Sequence, residues 1–280
     1  MKKIAVLGAE GSFSSIAAKK YIDKRPNEKY KIMFYQSFNM VVDSVGKECD
    51  IAIIPIENSL DGYVHIVLDI LTRVDLYICS EIILPVEFSF VGNAEQIEDI
   101  NKIYVQFKTQ GQCLKFIQKL NTKIFTTESN TESFDMVKYG IEGEGAIIPK
   151  HLYKSASNFK LKIDDVTDGE RNETRFIVLS GKNEKKKLVG KKFKTSIVII
   201  DAVDRAGVLS EIMNEFSDRD INLTSVISRP TKMKLGKYHF FIDIEGNYSE
   251  DENVKIAIEN IKYKNKIKIL GSYESEEKKD

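Results

Sequence analysis

Cysteine, charge of one sign and long apolar runs are all scarce in this chain, and each shortage closes off a class of protein. Cys49, Cys79 and Cys113 are odd in number, widely spaced and without a Cys-x-x-Cys pair or a nearby His cluster. That usage supports neither a disulfide framework nor a Cys/His metal site, and the three read as reduced, buried small hydrophobes of a cytoplasmic protein. Lys+Arg and Asp+Glu both number 42, so no net field exists to hold nucleic acid or an anionic membrane, and any anion site must be local. No run approaches the roughly 20 apolar residues needed to span a bilayer. Lys2-Lys3 followed by Ile4 to Leu7 mimics the start of a signal peptide, but the apolar stretch breaks at Glu10, and no such leader is expected.

What is present is an ordinary globular composition, 42% hydrophobic over 280 residues, enough for two cores at roughly 150 residues per domain. Ile4 to Leu7 reads as a strand, Gly8-Ala9-Glu10-Gly11 as a turn, and Ser12 to Ile22 as the start of a helix. A dinucleotide fingerprint is rejected because Glu10 stands where backbone would have to approach a pyrophosphate. What remains at Ser12 and Ser14 is either a helix cap or a cradle for one small carboxylate. The continuous apolar run Ile51 to Ile56 reads as a strand buried on both faces, delivering Glu57, Asn58 and Ser59 at its carboxyl end, where ligands collect in parallel sheets. Ordinary loop chemistry is the competing reading for these three. A helix is expected over 64–74 and strands over 76–83 and 86–91.

Residues 92–160 repeat the α/β pattern, with a helix expected around Gln112 to Ile117 and a buried strand at Gly145 to Pro149. The chain returns through Leu161 to Val166 to the strand Asn172-Glu173-Thr174-Arg175-Phe176, whose polar head precedes the apolar Ile177-Val178-Leu179. Two lobes joined by a returning strand imply a cleft, the usual place for a small-molecule site. The lysine-rich stretch 182–194 reads as a solvated linker, with almost no aromatic for a nucleic acid to stack on. Beyond it, apolar periodicities in the order β-α-β-β-α-β give a ferredoxin-like unit.

These residues, in this order, carry a resemblance. Gly8-Ala9-Glu10-Gly11-Ser12-Phe13-Ser14, Pro55-Ile56-Glu57-Asn58-Ser59 with Gly62, and Asn172-x-Thr174-Arg175-Phe176 are similar to three signatures of bacterial, monofunctional prephenate dehydratases. Gly207-Val208-Leu209, Asn222-Leu223-Thr224 and Ser228-Arg229-Pro230 resemble phenylalanine-binding segments of their C-terminal ACT regulatory domain, with Ile227 in place of a glutamate. Each motif is weak alone; in the right order along the chain they are a strong signal. The chain departs from the pattern at Val105-Gln106-Phe107, where the family has Ser-His-Pro, while Gln112-Cys113 is retained.

The resemblance implies a two-lobed, periplasmic-binding-protein type II-like α/β catalytic domain over 1–182. Lobe one would span about 1–90 and 161–182 and lobe two about 91–160. A basic linker over 183–194, an ACT domain over 195–275 and a charged tail over 276–280 would follow. The implied reaction is conversion of prephenate to phenylpyruvate by loss of CO2 and the ring hydroxyl, without metal or organic cofactor. The residues expected to carry it are Thr174 near the leaving hydroxyl, Asn58 and Ser59 orienting the substrate, and Glu57 as an acid or a loop brace. Ser12, Gln112, Arg175 and Phe176 would bind substrate. L-Phenylalanine would bind at Gly207, Val208, Leu209, Asn222, Leu223, Ser228, Arg229 and Pro230, in a homodimer or homotetramer. Two alternatives stand beside this reading: arogenate as substrate, or a small-carboxylate sensor of the same fold that no longer turns over.

Overall fold

The computed structural model describes residues 1–169, 171–182, 192–200, 202, 205–233 and 235–276. Most of the basic linker (183–191), Asp204 of the turn before Gly207, and residues 277–280 of the charged tail lie outside the described residues.

Lobe one starts with β1 (Lys2–Leu7), α1 (Phe13–Asp23), β2 (Tyr30–Tyr35), α2 (Phe38–Asp43) and β3 (Ile51–Asn58). The three strands are parallel with β1 central, as near-continuous apolar runs require. Ser12 and Ser37 cap the two helices, each side chain accepting from a backbone N–H three residues on. A short β4 (Gly62–Tyr63) pairs back on β3, α3 (His65–Arg73) follows, and β5 (Tyr77–Pro85) leads out of the lobe.

Lobe two comprises β6 (Phe88–Gly92), β7 (Lys102–Gln106), α4 (Phe107–Gln112), α5 (Leu114–Ile117), β8 (Lys123–Thr127), α6 (Asn130–Val137), β9 (Glu144–Pro149) and β10 (Leu161–Ile163), with sheet order β10-β6-β9-β7-β8. The single helix expected at Gln112–Ile117 is two short ones, because the backbone at Cys113 leaves the helical region (φ −129, ψ 26). The expected lobe borders also move. Phe88 and Leu161 pair within the second sheet, so residues assigned to lobe one at 88–90 and 161–163 belong to lobe two. The returning β11 (Glu173–Ser180) inserts antiparallel between β3 and β5, giving β2-β1-β3-β11-β5 and completing a two-lobed α/β architecture.

The C-terminal unit is β12 (Phe193–Ile200), α7 (Val208–Ser217), β13 (Leu223–Pro230), β14 (Tyr238–Glu245), α8 (Glu252–Lys264) and β15 (Lys266–Glu274), with sheet order β13-β14-β12-β15. Strand alternation gives this sheet two apolar faces. Ile197, Ile199 and Ile242 meet α7 and α8 through Ile212, Phe216 and Ile258. Val198, Phe241, Leu270 and Tyr273 point the other way and join Ile54, Leu71, Ile78 and Ile177 of lobe one in one continuous core. Each large side chain buried in that seam contributes roughly 1.5–3 kcal/mol. The fit includes backbone: a Cβ on Gly271 would stand 2.1 Å from the carbonyl oxygen of Ile78. All three cysteines are free thiols; Cys49 and Cys113 are buried as expected, whereas Cys79 is only partly so. No helix among the described residues is long and apolar enough to cross a membrane.

Candidate active site

The site is built on the end of the β3–β11 pair. Regular alternation along β3 would send Ala52, Ile54, Ile56 and Asn58 to one face and Ile53, Pro55 and Glu57 to the other. A bulge interrupts it: Phe176 pairs with Pro55 but Arg175 pairs with Glu57, leaving Ile56 as an extra residue. The bulge reverses the parity of the residues beyond it, so Asn58 stands beside Thr174 while Glu57 stands beside Arg175 on the opposite face.

On the first face lies a chain of neutral polar groups. The Asn58 carbonyl oxygen accepts from the backbone N–H of Leu60 and Asp61 at 3.0 and 2.9 Å, which fixes the orientation of the amide. Its NH2 group therefore donates, to Asn172 Oδ1 at 2.7 Å and Thr174 Oγ1 at 2.9 Å. Asn172 donates onward to Gln112 Oε1 at 2.9 Å, and Gln112 Nε2 donates to Asp61 Oδ2 at 2.7 Å. Because Gln112 belongs to α4, this chain ties lobe two to both site strands of lobe one. Asn58, Gln112, Asn172 and Thr174 are all buried. Thr174 accepts a hydrogen bond and keeps its own proton to give.

A cleft of about 240 Å³ opens between the lobes, lined among others by Ser12, Phe13, Gln106, Ser129, Asn130 and Thr131. It faces the N-terminus of α1, capped by Ser12, and that of α6, capped by Ser129, so unpaired amide N–H groups converge on it. Among the described residues lining it, Glu128 is the sole ionisable one; an anion there would be held by dipoles and hydroxyls. Gln106 at one end of α4 lines this cleft and Gln112 at the other belongs to the polar chain, about 9 Å of helix apart. Among the described residues no three His, Cys, Asp or Glu side chains gather to hold a metal ion.

Three of the expected site residues therefore come together in the polar chain, Asn58, Gln112 and Thr174, while Ser12 lines the cleft together with Gln106. Ser59 is close by but committed to the backbone, donating to Arg171 O and accepting from Glu173 N, so it braces the loop rather than facing a ligand. Phe176 is 1% exposed within the core of lobe one, against α1, and forms no cleft wall. Glu57 is turned away by the bulge, and Arg175 by the ordinary alternation of β11, which sets it on the face opposite Thr174. Arg175 Nε and Nη1 reach Glu57 at 3.1 Å and Glu81 at 3.4 Å, and Nη2 reaches Asp243 of the C-terminal unit at 2.8 Å. Burial would push that guanidinium down, but the carboxylates around it outweigh burial and hold its pKa above the usual arginine value.

Three contributors escaped the sequence reading. Asn172 was visible in its motif but had no role until its partners were known. Ser129 announces itself by the Ser-x-x-Glu spacing to Glu132, a helix-start signal. His151 carried no signal at all: a lone histidine of lobe two, it donates from Nε2 to the Gly11 carbonyl at 2.9 Å and meets Phe13 edge-on, latching the lobes together. Desolvation holds its pKa below the ordinary value, with the Gly11 hydrogen bond opposing. At the departure from Ser-His-Pro, Val105 is core and Gln106 caps α4, accepting from Lys108 and Thr109 N–H, while Phe107 is exposed.

In the C-terminal unit Gly207 adopts φ +83 at the start of α7, a left-handed conformation suited to glycine, and leaves that helix end without a side-chain cap. Asn222 and Leu223 lie beyond the other end of α7, roughly 15 Å away. Arg229 pairs with Asp69 of α3 at 3.1 Å.

A two-lobed α/β protein with a buried hydroxyl–amide chain bridging its lobes and a βαββαβ unit sealed to one lobe belongs to the class of small-molecule enzymes with an appended regulatory domain. The prephenate dehydratase family model matches residues 4–184 and the ACT domain model residues 196–254. The prephenate dehydratase of Methanocaldococcus jannaschii is 34% identical, the alignment covering 94% of this chain and 95% of that protein. That of Bacillus subtilis is 27% identical over 98% of this chain and 99% of its own. The crystal structure of prephenate dehydratase from Arthrobacter aurescens in complex with L-Phe superposes with a TM-score of 0.82 at 26% identity, covering 98% of this chain and 90% of that one. The Staphylococcus aureus enzyme gives 0.80 at 25%, covering 97% and 99%. The chain belongs to the prephenate dehydratase family and carries an ACT domain.

Proposed function

We propose that this chain converts prephenate to phenylpyruvate with Thr174 as the group that assists departure of the ring hydroxyl. The observation that carries the assignment is the Asn58–Thr174 hydrogen bond, in which Thr174 accepts and so retains a proton for the leaving oxygen. The bond from the ring carbon to the departing carboxylate breaks, CO2 leaves, and the electron pair flows through the ring diene to aromatise it. The C–O bond breaks at the far side, and the leaving hydroxide becomes water with the Thr174 proton, which solvent restores. Asn58 steadies negative charge developing on Thr174 Oγ1 and fixes its direction. Asn172 and Gln112 hold Asn58 in turn, and Ser12 with the α1 and α6 N-termini receives substrate carboxylate. Ser59 braces the loop, and Glu57, Arg175 and Phe176 act outside the cleft.

Feedback by L-phenylalanine is the second half of the proposal. Gly207, Val208 and Leu209 would hold its amino-acid head at the open end of α7. Asn222 and Leu223, a helix length away in the same chain, would come from a second copy, making a homodimer the minimum and a homotetramer a dimer of dimers. Ser228, Arg229 and Pro230 would connect the effector end of β13 to the catalytic domain. The boundaries proposed are those expected, 1–182 catalytic, 183–194 linker, 195–275 ACT and 276–280 tail, with Phe193 and Lys194 moved from the linker to the ACT unit because both pair within its sheet, in a cytoplasmic enzyme.

The test is a phenylpyruvate absorbance assay with prephenate and then arogenate. Turnover of prephenate supports the reading, preference for arogenate moves the substrate, and failure with both leaves a binding protein. Calorimetry with L-phenylalanine on wild type and Gly207→Val tests regulation: binding in the first and its loss in the second are expected, and absence of binding by wild type at millimolar effector overturns that half.

A further inference from the structure

The face of the β3–β11 pair opposite the cleft presses on the ACT domain through charged and hydroxyl groups that the reaction itself does not use. Arg175 follows Thr174 on β11, and its guanidinium, only 10% exposed, reaches Asp243 on β14 at 2.8 Å. Asp243 is fixed from its own side by Ser196 Oγ at 2.5 Å, and Ser196 shares a 2.7 Å hydrogen bond with the buried Tyr273 hydroxyl. Lys194 of β12 enters the same cluster, reaching the fully buried Glu81 of β5 at 3.0 Å. A second contact lies beside it. Tyr63 of β4 pairs with Glu57 in the sheet, and its hydroxyl meets Ser225 Oγ of β13 at 2.8 Å. Ser225 and Asp243 are direct cross-strand neighbours. One rung of the ACT sheet thus grips both strands that flank the bulge, at the residues next to Thr174 and opposite Glu57.

We infer that Asp243 is a positioning residue for Thr174: through Arg175 the ACT domain holds the bulged strand pair in the register that brings the reacting hydroxyl to Asn58. The inference rests on the proposed role of Thr174. Without the Asp243 carboxylate, Arg175 has Glu57 and Glu81 left, both on lobe one, and would swing toward them. The bulge, which has no regular ladder to stiffen it, is the part free to follow. Displacements on the order of 1 Å at a reacting group cost up to about 100-fold in rate.

The experiment compares full-length wild type, Asp243→Asn, Asp243→Glu and Lys268→Met. Lys268 serves as the control because it joins the same domain seam elsewhere, donating to the Leu71 and Val74 carbonyls at the end of α3. Asp243→Asn is expected to lower kcat roughly 10- to 100-fold with KM within about threefold. It should also speed amide exchange at 173–176 and 57–63. Asp243→Glu should recover most of the rate, and Lys268→Met should lower the melting temperature while leaving kcat near wild type. A folded Asp243→Asn with kcat within about twofold of wild type, or an equal loss in Lys268→Met, overturns the inference. If Asp243→Asn does not fold, Tyr63→Phe decides: a reduced kcat at unchanged KM sustains the grip, and wild-type kcat refutes it. If wild type turns over neither prephenate nor arogenate, the reading of the site fails, and amide exchange alone judges whether Asp243 holds the strand.

Discussion

The two faces of one strand pair meet opposite demands with opposite chemistry. Toward the cleft, Asn58, Asn172, Gln112 and Thr174 make a neutral chain in which each amide is oriented by its neighbours. Toward the ACT domain, Arg175, Glu57, Glu81, Lys194 and Asp243 make an ionic cluster. Neutral groups around the reacting hydroxyl put no charged side chain in direct contact with it and give each hydrogen bond one direction. Charges at the seam are long-ranged and costly to leave unpaired, which suits a contact that must seat one domain on another in a single way.

The sharpest test of the cleft face is its hydroxyl. Thr174→Ala should lower turnover by a factor on the order of 100 to 10,000 with the fold intact, and Thr174→Ser should be milder; near wild-type turnover in the alanine variant would remove Thr174 from the mechanism. The ionic face should break differently. Arg175→Met leaves three carboxylates facing one lysine and should cost about 3–5 kcal/mol of stability, read by urea denaturation. If the loss is below about 1 kcal/mol, the cluster is solvated and the contrast between the faces collapses. Gln112→Leu strips a partner from both Asn172 and Asp61 and should cost about 1–3 kcal/mol, with a lowered kcat. An unchanged kcat would confine the working part of the chain to Asn58 and Thr174. The smallest effect concerns the latch between lobes. The pKa of His151 is depressed when it is docked on Gly11, so its contribution to closure is complete above its free value of 6.5 and lost as pH falls below it. Closure followed by small-angle scattering should loosen from pH ~7.5 to ~5.5 in wild type and change less in His151→Gln.

Most of the architecture was legible because its signals are local: apolar runs for buried strands, helix periodicity, and the βαββαβ order. Asn58 and Thr174 were legible as motif residues. Arg175 was misplaced by overlooking the period of two along β11, which already sets it opposite Thr174, whereas Glu57 was misplaced by the bulge. A strand's period of two reads side-chain direction only while the ladder is regular, and the extra residue at Ile56 exchanges the faces of Glu57 and Asn58 without leaving a mark in the sequence. Phe176 was misread for a related reason: it shares a face with Thr174 but sits one step deeper, where α1 covers it. The His151 contact joins residues 140 positions apart and has no local trace. Nor was the seam foreseen. The stretch 182–194 reads as a solvated linker, and nothing local announces the direct side-chain contacts that join the domains.

The close approach at Gly271 bears on how the molecule comes apart. At φ +152 and with no room for even a methyl group beside Ile78, β15 lies backbone to backbone on β5, and the core around Tyr273 draws side chains from both sides. Lobe one cannot open without baring the ACT sheet, and the ACT domain cannot leave without baring lobe one. The two are one cooperative unit, so calorimetry should record a single melting transition for them, and a chain cut at Lys192 would be left with an unsealed, aggregation-prone surface in place of an independent catalytic half.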